Sequence, residues 1–169
     1  MLCQVADTGC EILLRSESET LRAGKIIAEV SKGVGIIYLS GSLGTGKTTL
    51  CRGILRQMRH TGSVKSPTFT LVEPYEIGDY RIYHFDLYRL GDPAELEYVG
   101  IDDYFSQPCL CLVEWPEKGN GYLPKSDLLI KLEVYKRGRI MRLCAGSTLG
   151  ETMSARLTED FPIKTQDPD

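Results

Sequence analysis

An excess of positive charge is missing from this chain. Its 20 Lys and Arg stand against 23 Asp and Glu, for a formal net charge of −3. It therefore lacks the basic footprint of a protein that grips nucleic acid unaided, and any nucleic acid in its biology is expected to be reached through a partner. No apolar run approaches the roughly 20 residues of a membrane span. The start "MLCQVADTGCE" has no basic region leading into an apolar block, so a cytoplasmic protein without a leader is expected. The six cysteines, Cys3, Cys10, Cys51, Cys109, Cys111 and Cys144, show no C-x-x-C pairing. That argues against a metal or dithiol redox centre and for core thiols. His60 and His84 are not spaced to complete a ligand set with them. Repeats and low-complexity linkers are absent too. The 169 residues read as a single domain over 1–160, with a loose tail over 161–169.

What the chain does have is a succession of short apolar runs set between capped helices. Ser16 and Glu19 in "SESE" form a capping box for a helix whose face carries Ala23, Ile26, Ile27 and Val30 and which Gly33 ends. Residues 34–40 are almost wholly apolar, as in a strand buried on both faces. A helix is expected over about 47–59. A strand is expected within "TFTLVEPY", "YRIYHFD" alternates as one up to Asp86, and "CLCLVEW" at 109–115 is a third, with Cys109 and Cys111 on one face. Asp92, Pro93 and Glu95 mark a second capped helix start. Residues 127–145 read as a hairpin turning near Arg137-Gly138, and a short helix is expected around 150–158. The order implies an α/β layered fold with a central mixed, mostly parallel sheet flanked by helices, and a late β-hairpin.

Between the strand and helix around residue 45 lies "GSLGTGKTT", residues 41–49. Gly41, Gly46, Lys47 and Thr48 satisfy G-x-x-x-x-G-K-T. Such a loop turns successive backbone N–H groups inward around phosphates, and the following helix start adds its own unpaired amides and positive dipole end. The whole stretch, Gly41, Ser42, Leu43, Gly44, Thr45, Gly46, Lys47, Thr48 and Thr49, is the expected nucleotide cradle. Lys47 is placed to reach the β and γ phosphates, and Thr48 to offer its hydroxyl to Mg²⁺. A guanine-reading N-K-x-D is missing: the one asparagine is Asn120 in "KGNGY", and no D-x-x-G occurs. ATP is the expected nucleotide.

Magnesium needs a carboxylate from a neighbouring strand end. Glu114 closes "CLCLVE" and is the expected metal ligand with Thr48; Asp86 closes "YHFD" and is expected to hold a metal-bound water or orient the attacking one. Arg81 and Arg89 offer Asp86 the alternative of plain ion pairing. His84 is read as facing away from Asp86, in a structural role. "SVKSPTFTL" is a candidate switch whose hydroxyls, Thr68 among them, can meet the γ phosphate or metal.

"GSLGTGKTTLCRG", "VKSPTFTLVEPY", "YHFDLYRL", "DPAELEYVGIDDYF" and "CLVEWPEKGNGYLP" together resemble the TsaE (YjeE) family of small bacterial ATPases, over about residues 12–145. The resemblance implies a role in forming threonylcarbamoyladenosine in transfer RNA, with the partners TsaD and TsaB, by spending ATP to reset the transferase complex. It implies phosphate binding by Lys47, magnesium binding by Thr48 and Glu114, support of hydrolysis by Asp86, and a nucleotide-sensing switch at Ser66-Pro67-Thr68. It also implies that Trp115 shapes the site and that Glu17 and Arg139 approach the nucleoside. The family loop usually reads G-D-L-G-A-G-K-T; here Ser42 replaces the acid and Thr45 the alanine. Two other readings stand beside this one: a P-loop kinase acting on a small molecule, which the lack of an arginine-rich lid disfavours, and a nucleotide-gated binding module that barely hydrolyses.

Overall fold

The computed structural model describes residues 9–164. Cys3, the rest of the N-terminal stretch to residue 8 and the last five residues of the expected tail lie outside them. The described residues form one seven-stranded sheet in the order β1-β7-β6-β2-β5-β4-β3. Its strands are β1 (Cys10–Leu14), β2 (Gly35–Ser40), β3 (Val72–Ile77), β4 (Tyr80–Asp86), β5 (Leu110–Glu114), β6 (Leu128–Tyr135) and β7 (Gly138–Ala145). Strands β6, β2, β5 and β4 are mutually parallel. β1 points the same way through two antiparallel steps, while β7 and β3 run against them. The expected mixed, mostly parallel sheet is therefore present, and so is the hairpin, with Tyr135 opposite Gly138.

Helices cover both faces. On one face lie α1 (Glu17–Ser31), α2 (Lys47–Gln57) and α5 (Thr148–Asp160), burying Ile27, Leu50, Ile54 and Leu157 against Ile37, Leu39, Leu112 and Ile130. The short helices α3 (Glu95–Val99) and α4 (Ile101–Phe105) cover the other, where Leu96 and Ile101 meet Tyr38, Phe85 and Val113. Alternation along β5 decides which residue faces which layer: Leu110, Leu112 and Glu114 share the side of α2, while Cys111 and Val113 face α3.

Local chemistry sets the element ends. Ser16 Oγ accepts from Glu19 N–H at 3.2 Å, and Glu19 reaches back one residue further than expected, to Arg15 N–H at 2.6 Å. Glu17 and Glu19 sit at the positive end of the α1 dipole. The second capping arrangement also forms, with Asp92 N–H donating to Glu95 Oε1 at 2.9 Å, although regular helix begins only at Glu95. α2 stops at Gln57, short of residue 59, because Arg59 turns to positive φ.

Strand β1 has no counterpart in the sequence reading. It pairs with β7, more than 120 residues away, with Leu14 opposite Arg139. Arg142 ties it down by ion pairs to Glu11 and, at 2.8 Å, to Glu133. The tail expected from residue 161 begins as bound backbone: Phe161 is buried, Leu13 N–H donates to Pro162 O at 3.0 Å, and Ile163 bridges to Ile12. The edge of β1 needs partners for its amides, and this segment supplies them.

Helices α1 and α2 approach almost to backbone contact through two glycines. A Cβ on Gly24 would lie 2.5 Å from the Leu50 carbonyl oxygen, and one on Gly53 would collide with the Leu21 carbonyl. Gly53→Val is expected to lower stability by about 1–3 kcal/mol through overpacking, read as a shifted urea midpoint at unchanged slope. Arg142 holds the Glu11 carboxyl below its ordinary value of 4.5. A group with its folded pKa depressed stabilises above the unfolded value and loses that stabilisation as pH falls through the folded one. The stability gap between the parent chain and Glu11→Gln should thus be full at neutral pH and shrink below about pH 4.5, as urea titrations across pH would show.

Candidate functional site

Parallel strands in register bring the C-terminal ends of β2, β5 and β4 to one line. Leu39 stands opposite Glu114, and Glu114 opposite Asp86. The glycine loop leaves β2 at this line and returns as α2, so its helix start faces both acids. Open α/β sheets bind ligands along this carboxyl edge. A cleft of about 380 Å³ lies there. Leu43, Gly44, Thr45, Gly46, Lys47, Thr48 and Thr49 line it, with Thr68, Asp86, Glu114, Trp115, Glu17 and Arg139 around them. Of the residues expected in the nucleotide site, only Gly41 and Ser42 lie outside this lining. They border the neighbouring hollow and serve the cleft through their carbonyls.

The loop has the backbone its glycines permit: φ is 77° at Gly44 and 104° at Gly46, a region that side chains disfavour. Gly46 is the N-cap of α2 and brings no side-chain cap. The first intrahelical bond runs from Leu50 N–H to Gly46 O at 2.9 Å, which leaves the preceding amides as the unpaired donors of a helix start. Thr45 is buried and donates its hydroxyl to Ser42 O at 2.9 Å, which gives threonine a physical purpose there. Nothing in the structure accounts for serine at 42.

Lys47 is 5% exposed. Its Nζ donates to Gly41 O at 2.5 Å and Ser42 O at 2.9 Å, and lies 4.5 Å from the centre of the Trp115 ring. Burial pulls the ammonium below the usual lysine range, and the charges of Glu114 and Asp86 work against that pull. Trp115 in turn stands against Tyr88, ring centres 4.9 Å apart. Arg139 spans from the hairpin to the loop, donating to Thr45 O at 3.0 Å and Gly44 O at 3.2 Å. Glu17 is exposed at the α1 start, 3.8 Å from Arg52. Thr68 N–H donates to Ser66 O at 2.9 Å.

The two acids are both nearly inaccessible, Asp86 at 3% and Glu114 at 2% exposure. Asp86 pairs with neither Arg81, which bonds Gln107, nor Arg89, which lies over the Phe69 ring. It accepts instead from Tyr88 N–H at 2.9 Å and from the Ser66 hydroxyl. Ser66 also reaches Glu114 Oε2 at 3.3 Å, so the candidate switch touches both carboxylates. Glu114 Oε1 accepts from Thr48 Oγ1 at 2.9 Å.

His84 corrects the sequence reading. It faces the site rather than away from it, fully buried, with Nε2 at 3.0 Å from Glu114 Oε1. Residues 84 and 86 are two apart on one strand and so share a face; that spacing was the available signal. Cys51, one turn along α2 from Thr48, places its Sγ 4.0 Å from the same oxygen. Burial, then the charges of Glu114 and Asp86, push its thiol well above the ordinary value, the state of an inert core thiol. Ser16, Thr20, Tyr88 and Arg137 also line the cleft, none of them assigned to the site by the sequence.

Comparison with known proteins places the sequence and the fold among relatives. Residues 14–141 match the family described as Threonylcarbamoyl adenosine biosynthesis protein TsaE. The tRNA threonylcarbamoyladenosine biosynthesis protein TsaE of Haemophilus influenzae is 49% identical over 142 residues, covering 81% of this chain and 90% of that one. Its namesake in Bacillus subtilis is 38% identical over 115 residues, 68% of this chain and 72% of the relative. The crystal structure of Bacillus subtilis YdiB matches the fold with a TM-score of 0.75 at 27% identity, over 90% of this chain and 96% of that one. With its matched span running from the end of β1 into β7, the chain belongs to the TsaE family.

Proposed function

We propose that this chain binds ATP with Mg²⁺, hydrolyses it slowly alone, and serves threonylcarbamoyladenosine formation in tRNA as a cytoplasmic partner of TsaD and TsaB. In this reading it resets the transferase complex and meets tRNA through that complex. The observation that carries the reading is the in-register pair of buried acids, Asp86 and Glu114, facing an uncapped helix start that bears Lys47 and Thr48. The relatives' name, tRNA threonylcarbamoyladenosine biosynthesis protein, supports the pathway.

The residues fit both ligands. Free first-turn amides and a buried ammonium suit a polyphosphate. Thr48, Glu114, Asp86 and Ser66 present only oxygen, the donor set that Mg²⁺ prefers. Thr48 gives its hydroxyl hydrogen to Glu114, which leaves its lone pairs for a cation. Glu114 and Thr48 would hold the metal, which when bound supplies neutralisation of charge on the phosphates. Lys47 exchanges its carbonyl acceptors for phosphate oxygens and absorbs charge as the terminal phosphoryl group departs. Asp86, with Oδ1 fixed by Tyr88 N–H, orients water. The water oxygen bonds to the γ phosphorus, the bond from that phosphorus to the β–γ bridging oxygen breaks, and the released proton passes by way of Asp86 to the medium. The products are ADP and phosphate. Ser66 leaves the acids as the switch segment takes up the γ phosphate.

Lys47→Ala is expected to lose ATP binding or turnover altogether, whereas Asp86→Asn should keep binding and lower turnover by about 10²-fold or more. Titration calorimetry beside a phosphate-release assay separates the two, and normal kinetics in Lys47→Ala would end the assignment. Release of phosphate without an added acceptor, rising when the TsaD–TsaB pair is supplied, is the outcome expected of the ATPase. Strict dependence on a small-molecule acceptor would mark a kinase.

A further inference from the structure

Glu114 is nearly buried at the floor of the cleft, directly beside Asp86. Its two oxygens are not treated alike. Oε1 is surrounded: His84 Nε2 lies at 3.0 Å, Thr48 Oγ1 at 2.9 Å and Cys51 Sγ at 4.0 Å. Oε2 has the Ser66 hydroxyl at 3.3 Å. Oε1 is held from three sides, while Oε2 is met by Ser66, a residue of the cleft lining.

Cys51, His84 and Glu114 gather one ligand atom each within 4.8 Å, an arrangement that resembles a metal cluster. The imidazole argues against that use. Nδ1 of His84 is buried with no hydrogen-bond partner among the described residues. A metal on Nε2 would force the hydrogen onto Nδ1, where nothing accepts it, and ligating histidines almost always donate that second N–H. The arrangement that uses the one available partner keeps hydrogen on Nε2, aimed at the carboxylate, and leaves Nδ1 as a bare acceptor.

We infer that His84 is a positioning residue for Glu114: its Nε2–H anchors Oε1, so that Oε2 stays directed at the cation that the nucleotide brings. The inference rests on reading Glu114 as a metal ligand. Thr48 alone is a poor anchor, because its hydroxyl can rotate and would itself help to hold the cation. An imidazole fixed in β4 cannot follow the ligand and so gives Glu114 a reference that does not move.

Two measurements test this on the full chain. A ¹⁵N–¹H correlation spectrum of the nucleotide-free protein should show His84 with hydrogen on Nε2, and a bare Nε2 overturns the inference. Affinity for a non-hydrolysable ATP analogue is then measured with and without Mg²⁺. His84→Leu should cut the gain in affinity that Mg²⁺ confers by about tenfold or more while leaving metal-free affinity unchanged. His84→Gln, whose amide N–H reaches to about the Nε2 position, should restore most of it, and it serves also if the leucine variant does not fold. A Mg²⁺ gain equal to that of the parent in the folded leucine variant overturns the inference, as does a glutamine variant that folds but recovers none of it. If the parent chain shows no Mg²⁺ gain at all, the assignment of Glu114 as a cation ligand fails, and the spectrum separately decides whether the anchor exists.

Discussion

Parallel pairing of β2, β5 and β4 is the constraint from which the site follows. Each strand pair has its register set by a face packed on α1 and α2, and slipping one residue would move Leu112 and Ile82 out of that core. The register that satisfies the core also places Glu114 beside Asp86 at the strand ends. Two carboxyl groups on paired strands, each with little exposure, are costly neighbours unless donors surround them. Ser66, Thr48, His84 and the Tyr88 amide supply those donors. The fold thus provides hydrophobic energy enough to hold an arrangement of charges that is unfavourable by itself.

The glycine loop and its helix answer that charge from the other side. Lys47, buried between its own loop carbonyls and the Trp115 ring, counters the acids without pairing directly with either. Such an ammonium has lost most of its water already. In the proposed ATP complex, exchanging carbonyl oxygens for phosphate oxygens would cost little further desolvation, which is the physical meaning of preorganisation here.

Much of this was legible in the residues. The loop, the strand ends at Asp86 and Glu114, the cap at Ser16 and the hairpin depend on local chemistry, and local chemistry is written in consecutive letters. β1 was not legible, because "CEILL" becomes a strand only by pairing with β7 across the length of the chain and by the hold of Arg142 on Glu11. The break between α3 and α4 hangs on one left-handed residue, Gly100. His84 shows a different gap: its side followed from counting by twos, but its partner lies on β5, and no spacing within one segment announces a neighbour on another. The stretch from 61 to 71 has no period of its own, since it is fixed by its contacts, Leu71 bonding both Pro67 and Asp86 and Ser66 bridging the acids.

The glycine contact between α1 and α2 carries a mechanical consequence. With Gly24 and Gly53 letting the two backbones touch, nothing lies between the helices at these two positions, so neither can move toward the other there without collision. The rear of the cleft therefore has an anvil behind it: α1 backs α2, whose start carries the phosphate loop. Adjustment to a ligand therefore falls to side chains of the opposite jaw, Arg139 on the hairpin and Ser66, which reach the loop carbonyls and the two acids by hydrogen bonds.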